Sequence, residues 1–63
     1  MIEVKYYYIN KFGTPIEAYA HFCRVDSAIK FMYKCKNSKN MVYSGEFACD
    51  DPSDTEQINR RFK

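Results

Sequence analysis

The sequence predicts a small α+β domain in which a three-stranded antiparallel sheet carries two helices on one face, in the order ββαβα. Three segments alternate apolar and polar residues with the two-residue period of a strand. Two other segments repeat apolar residues every three or four positions, which is the period of an amphipathic helix. The chain has 63 residues, which is enough for one compact domain spanning residues 1–63.

The first two strands are predicted to form a hairpin. Residues 2–9 and 16–23 both alternate, and the turn between them, residues 10–14, contains Gly13, which can adopt the positive φ of a tight turn. Pro15 is acceptable at the first position of the second strand because that strand is expected at an edge of the sheet. The residues of the first strand predicted to face the helices are Ile2, Val4, Tyr6 and Tyr8.

The first helix is predicted to begin after the hairpin. Asp26 and Ser27 are favourable N-cap residues, and polar residues 37–40 are expected to end the helix. The apolar residues at helical spacing are Ala28, Phe31, Met32 and Cys35. This spacing predicts one buried stripe facing the sheet.

A third strand and a short second helix complete the predicted fold. Residues 41–49 alternate as a strand, with Gly45 indicating a bulge or a close backbone approach. Asp51 is a favourable N-cap for the second helix, and Pro52 suits the first helical position. Since the third strand follows a helical crossover, we expect it beside the first strand, which then lies at the centre of the sheet.

The face of the sheet opposite the helices is predicted to stay open. One face of an antiparallel sheet can be solvated, but this one is richer in aromatic and apolar residues than solvent exposure requires. Such patches often mark contact sites. Its predicted members are Tyr7, Ile9, Tyr19, His21, Cys23, Val42 and Glu46.

The composition argues against several classes of protein. No apolar run approaches the roughly 18 residues needed to cross a bilayer, and no signal peptide is visible, so we expect a cytoplasmic protein without membrane association. Three cysteines without a C-x-x-C pair fit a reducing compartment. Ten Lys and Arg against eight Asp and Glu give a formal charge of +2, well below the basic excess of most nucleic-acid binders.

Catalytic and metal sites are poorly supported. His21 and Cys23 lie two apart on one predicted strand, but their spacing to Cys35 and Cys49 matches no zinc module. A Cys–His pair would also need an orienting group and an oxyanion hole, neither of which is identifiable. We therefore expect a protein that is not an enzyme and uses no cofactor.

Binding is the activity that the residues favour, on two surfaces. The candidate binding residues are Lys5, Tyr7, Tyr19 and His21 on the open face, and Arg60 and Arg61 after an acidic segment near the C-terminus. Tyrosine and arginine supply much of the binding energy in protein interfaces, and mixed charges set orientation. We expect a protein partner and a homodimer, the latter formed through the aromatic face or an edge strand.

Two alternative partners stay open. The aromatic residues beside Lys5 would give nucleic-acid bases a stacking platform, although Glu3, Glu17 and Glu46 on the same face would repel a polyanion. A homodimer could instead sequester a small nucleotide, using aromatic stacking and the two C-terminal arginines.

The chain as a whole has the style of one group of proteins. It starts at Met1, opens with the run Lys5-Tyr6-Tyr7-Tyr8, has a middle rich in Lys, Asn and Met, and ends at Lys63. In these features it resembles the small accessory or early proteins of large lytic tailed phages of enterobacteria. The resemblance implies stoichiometric inhibition of a host enzyme, toxin or defence protein in the host cytoplasm.

Overall fold

A computed structural model describes residues 1–62 and contains the predicted elements in the predicted order. They are β1 (Ile2–Ile9), β2 (Pro15–Phe22), α1 (Val25–Asn37), β3 (Met41–Cys49) and α2 (Pro52–Arg61). The strands form one sheet in the order β2-β1-β3, and both neighbouring pairs are antiparallel. The α+β fold class is therefore confirmed. Lys63 lies outside the described residues.

The β1–β2 hairpin closes through a short turn that the Asn10 side chain organises. Its Oδ1 accepts hydrogen bonds from the backbone N–H groups of Phe12 and Thr14, each at 2.9 Å. Gly13 has a φ of +80°, a conformation that costs glycine little because it has no Cβ. The strands then pair without interruption, from Ile9 opposite Pro15 to Ile2 opposite Phe22.

The predicted bulge in β3 is present and contains two extra residues. Val4 of β1 lies opposite Phe47, and Tyr6 lies opposite Tyr43, so a step of two residues on β1 matches a step of four on β3. An even number of inserted residues leaves Phe47 and Tyr43 on the same face, since side chains alternate with a period of two. Gly45 lies within the bulge with a φ of +90°.

The core lies between the sheet and the helices. Its fully or nearly fully buried apolar members are Ile2, Val4, Ala28, Ile29, Met32 and Ile58. Aromatic rings extend it on two sides: Phe31 packs against Tyr6 with ring centroids 5.0 Å apart, and Phe62 packs against Tyr33 at 4.8 Å. Large aromatic side chains bury much area per residue, which helps a domain of this size to form a core.

The two helices begin in different ways, and the predicted start of α1 is wrong. Its N-cap is Arg24, which makes no side-chain capping bond, and Asp26 lies inside the first turn. The preceding Val25 packs against the core, so burial favours an earlier start than capping chemistry alone would. α2 begins as predicted, with Asp51 Oδ1 accepting from the Ser53 N–H at 2.9 Å and Pro52 in the first turn.

The helices cover only part of the sheet face beneath them. Ile2 and Val4 are completely buried, whereas Tyr8, on the same side of β1, exposes 42% of its surface. The expectation that the helices cover Tyr8 is therefore wrong. The chain is elongated, with extents of 39 × 19 × 15 Å, and the turn end of the hairpin reaches beyond the helices.

Candidate binding surface on the open sheet face

The side of the sheet opposite the helices forms a continuous surface, here called the open face. Odd-numbered residues of β1 and β2 point to it, because neighbouring side chains on a strand alternate between faces. Its members include the polar and aromatic residues Glu3, Lys5, Tyr7, Glu17, Tyr19, His21 and Glu46, together with the apolar Val42. Four sequence-predicted binding residues, Lys5, Tyr7, Tyr19 and His21, are thus brought together.

Lys5 is at the centre of this surface, between two carboxylates. Its Nζ lies 3.3 Å from Glu46 Oε2 and 3.8 Å from Glu17 Oε1. The hydrogen bond to Glu46 raises the pKa of Lys5, and the charge of Glu17 acts in the same direction. The Lys5 ammonium is therefore charged and already engaged, which leaves it poorly available to an incoming phosphate.

The β3 bulge holds this arrangement in place. At the bulge, Ser44 Oγ donates a hydrogen bond to the backbone carbonyl of Lys5 at 2.7 Å and accepts one from the Glu46 N–H at 3.2 Å. The Ser44 hydroxyl thus links the backbone of Lys5 to the backbone of Glu46, and the Glu46 carboxylate in turn pairs with the Lys5 ammonium. The sequence signal was Gly45, which indicated a bulge, but it gave Ser44 no role.

Two further pairs fix the second strand of the face. His21 Nε2 lies 3.0 Å from Glu3 Oε2 across the β1–β2 pair. The Tyr19 hydroxyl donates to Glu17 Oε1 at 2.6 Å, and this bond raises the pKa of Tyr19. These side chains are oriented before any partner arrives, which lowers the entropy that binding must remove.

The open face is acidic, although the chain as a whole is positively charged. Three glutamates against Lys5 leave this surface with a formal charge of −2 when His21 is neutral, whereas the whole chain carries +2. Negative charge at the contact surface opposes the phosphate contacts on which nucleic-acid affinity depends.

The open face is also shallow. One depression of about 190 Å³ is lined by Glu3, Lys5, Tyr19, Glu46, Phe47 and Ala48, and another of about 260 Å³ lies beside Glu3 and His21 at the Met1 end. Sites for drug-sized ligands usually enclose roughly 300–1,000 Å³. A surface of this shape is better suited to another macromolecule than to an enclosed small molecule.

Arg60 and Arg61 do not belong to this surface. Both lie on α2, in the helical layer on the other side of the sheet. Arg60 Nη2 pairs with Glu56 Oε1 at 2.6 Å, and Arg61 Nη1 pairs with Asp26 Oδ1 at 2.7 Å. The two groups of sequence-predicted binding residues therefore lie on opposite sides of the molecule.

The three cysteines occupy different environments. Cys23 is exposed one residue beyond the end of β2, so its predicted place in the strand is wrong, whereas Cys35 is buried and Cys49 is half-buried. Burial raises the pKa of the Cys35 thiol. Within residues 1–62, no three His, Cys, Asp or Glu side chains are placed to hold a metal ion. Neither helix of the described chain is long and apolar enough to span a membrane.

Together these features define a small α+β domain with one sheet face partly covered by helices and one acidic, aromatic sheet face. Comparisons of the chain with protein-family models, with curated proteins and with solved structures find no match. Its function is therefore inferred from the surface itself.

Proposed function

We propose that this chain is a non-enzymatic binding protein that inhibits or sequesters a host protein by stoichiometric binding through the open face. The observation that carries the proposal is the placement of Lys5 between Glu17 and Glu46, beside the exposed ring of Tyr19. This arrangement combines oriented charges with aromatic area on a surface too shallow to enclose a small molecule.

Exposed apolar and aromatic groups supply the attractive part of this surface. Tyr19 exposes 49% of its surface and Val42 exposes 51%. Tyrosine is enriched among the residues that dominate binding energy, because its ring provides area and its hydroxyl a polar contact. An apolar group opposite Val42 and a packed group over Tyr19 are the contacts we expect in the complex.

The charges specify the chemistry of the partner. A surface with three carboxylates around one lysine complements a patch rich in lysine or arginine, and such complementarity steers association and excludes acidic partners. Lys5 already holds the carboxylates of Glu17 and Glu46 in position. A lysine or arginine of the partner can therefore pair with them without first ordering their side chains. We therefore propose a host protein with a basic, partly apolar surface as the target.

The resemblance to phage accessory proteins supports a target in the host cell, including a component of its defences. Such an inhibitor needs no reaction of its own, since covering a functional surface of the target at one copy per site is sufficient. This mode of action suits a 63-residue chain, which has little material for an enclosed catalytic pocket.

Nucleic-acid binding, the alternative activity, can be distinguished from protein binding by its dependence on salt. Binding to DNA or RNA weakens steeply with salt, because phosphate contacts release counterions. We expect a flat fluorescence-anisotropy titration against single-stranded DNA and RNA at low salt. A saturable, salt-sensitive curve would overturn the choice of a protein partner.

The proposal is tested by capturing the target and then reversing one charge. The tagged protein is used to isolate partners from an enterobacterial lysate, and the purified target is titrated by isothermal calorimetry. Glu46→Lys reverses a charge on the open face, and Glu56→Lys reverses a matched charge on α2, since both side chains are 70% exposed. We expect Glu46→Lys to weaken binding by about tenfold or more, as for other charge-pair changes at interfaces.

The control variant, Glu56→Lys, defines which result would contradict the proposal. Glu56→Lys should leave the Kd of the wild-type complex within about twofold, since changes outside an interface have small effects. If Glu56→Lys weakens binding and Glu46→Lys does not, the helical side carries the activity. A captured protein whose function is unaffected by a molar equivalent of this chain would contradict inhibition.

A further inference from the structure

We infer that the free edge of β2 pairs with the β2 edge of a second copy of this chain, antiparallel and centred on Tyr19, to form a continuous six-stranded sheet. The inference goes beyond the proposed function, because it concerns pairing along the backbone edge of β2, although the side chains of Glu17, Tyr19 and His21 also belong to the open face. It follows from the geometry of the edge and from the order of its side chains.

The backbone of β2 offers a regular set of unpaired groups. At the turn, the Asn10 N–H donates to the Thr14 carbonyl at 3.0 Å. In an antiparallel pair the bonding residues alternate, so even-numbered residues of β2 direct their backbone groups to β1. The N–H and C=O groups of Glu17, Tyr19 and His21 consequently point away from the sheet.

This edge lacks the features that usually prevent strands from pairing. Natural edge strands are often blunted by lysine, proline or bulges. β2 contains no lysine, its one proline is Pro15 at the first position, and its register with β1 is unbroken over eight residues. The other edge, β3, is interrupted by the bulge at Gly45. The β2 edge is therefore the one suited to pairing.

The side chains of β2 are self-complementary about Tyr19. When Tyr19 lies opposite Tyr19 of the second copy, Glu17 of each chain lies opposite His21 of the other. The two-fold symmetry therefore produces two Glu17–His21 pairs. An imidazole opposite a carboxylate can donate a hydrogen bond to it, whereas like charges directly opposite each other destabilise a sheet. Pairing centred on Glu17 would place two carboxylates opposite each other, so the pattern selects the Tyr19 register.

The helix-facing side of the edge fits the same register. Ala18 would lie opposite Ala20 of the second copy, and Ile16 opposite Phe22, all of them half-buried apolar residues in the single chain. Ala18 and Ala20 add little bulk near the centre, and the apolar pairs on either side would gain burial. The side chains on both faces of β2 therefore favour the same register, with a second copy of this chain as the partner strand.

The oligomeric state is the first measurement. Native mass spectrometry and light scattering of the purified chain should give twice the 7.5 kDa mass, with a Kd below about 1 mM. Tyr19→Pro removes an outward-pointing N–H, a position where an edge strand tolerates proline. We expect this variant to keep its far-ultraviolet circular dichroism and to become monomeric.

A pair of cysteine variants tests the register without depending on proline. In a Cys23→Ser background, Tyr19→Cys should form a disulfide-linked dimer, since directly opposed Cα atoms in a hydrogen-bonded pair are about 5.5 Å apart. Glu17→Cys is the matched control. Its two copies would be offset by four residues, or roughly 13 Å, which is too far for a disulfide.

Several outcomes would overturn the inference. A wild-type chain that stays monomeric at millimolar concentration rules out the interface, and equal cross-linking of the Tyr19→Cys and Glu17→Cys variants rules out the register. Glu46 lies in β3, at the opposite edge of the sheet from β2, so Glu46→Lys should leave the dimer mass unchanged. Loss of target binding and loss of dimerisation are thus separated.

Discussion

The two ends of the β1–β2 hairpin have the same alternating sequence but different surroundings. At one end Ile2 and Val4 are completely buried under the helices. At the other end Tyr8 is 42% exposed and Phe12, in the turn, is 80% exposed. Alternation assigned Tyr8 to the same side of the sheet as Val4, and that assignment holds. What differs is whether a helix lies above the residue.

The lengths of the elements explain this difference. α1 has 13 residues, so it is about 20 Å long at 1.5 Å per residue. β1 has eight residues, and at roughly 3.3 Å per residue it extends about 26 Å before the turn begins. The helical layer packs at the Ile2 end, so the turn end has no cover. The stability of the domain should therefore be concentrated at one end.

The largest expected effect on the free energy of unfolding comes from removing a buried side chain at the end of the sheet that the helices cover. Met32 is fully buried in α1, and Met32→Ala should reduce the free energy of unfolding by about 2–5 kcal/mol. Phe12→Ala, at the uncovered end, should change it by less than about 0.5 kcal/mol. Urea denaturation followed by circular dichroism measures both. A large loss in Phe12→Ala would mean that the turn end contributes to the core.

A smaller effect is expected from the two glycines with positive φ. Gly45 lies in the bulge and Gly13 in the turn, with φ values of +90° and +80°. A Cβ added at either position meets no atom within 4 Å, so only backbone strain matters, about 1–2 kcal/mol for alanine. We expect the full cost for Gly45→Ala and a lower cost for Gly13→Ala, because the uncovered turn can relax.

Asparagine provides the control for this pair. It tolerates the left-handed region better than alanine does, so Gly45→Asn should recover part of the melting temperature that Gly45→Ala loses. If alanine and asparagine are equally destabilising at position 45, the cost is not one of backbone conformation. If Gly13→Ala costs as much as Gly45→Ala, the two regions are equally rigid.

The smallest expected effect is a pH dependence on the covered side. Tyr43 packs edge-on against Phe62 with ring centroids 5.3 Å apart, and burial raises the pKa of Tyr43. The folded state therefore holds the phenolic proton more tightly than the unfolded state does. This contribution to stability is complete below the unfolded pKa of about 10 and is lost as the pH rises through the higher folded value.

Tyr43→Phe isolates this contribution. Urea midpoints measured from neutral to alkaline pH should fall less steeply for Tyr43→Phe than for the wild-type chain. Identical slopes would show that the Tyr43 phenol titrates alike in the folded and unfolded chains, and that the covered side does not protect it.

Most of the fold followed from local patterns. The bounds of β1 and β3 agree with the sequence prediction, because two-residue alternation and a flanking turn residue are local properties of the backbone. The start of α1 did not follow, since Asp26 and Ser27 are better caps than Arg24 by side-chain chemistry alone. Packing of Val25 against the core outweighed the cap.

The candidate site was predictable as a set of residues on one face, but its electrostatics were not. Alternation placed Lys5, Tyr7, Tyr19 and His21 together. It did not predict that Glu46 reaches Lys5, because that contact depends on the number of residues in the bulge. Gly45 indicated a bulge and gave no measure of its size.

By itself, the sequence determined which residues face the helices, where the strands turn and how α2 is capped, because periodicity and turn chemistry act over a few neighbouring residues. Only the tertiary structure decided that Tyr8 is uncovered, that Arg60 and Arg61 pair with Glu56 and Asp26, and that Lys5 is held between two glutamates. Those outcomes depend on how far each element extends and on which residues the bulge and the helices bring across the sheet.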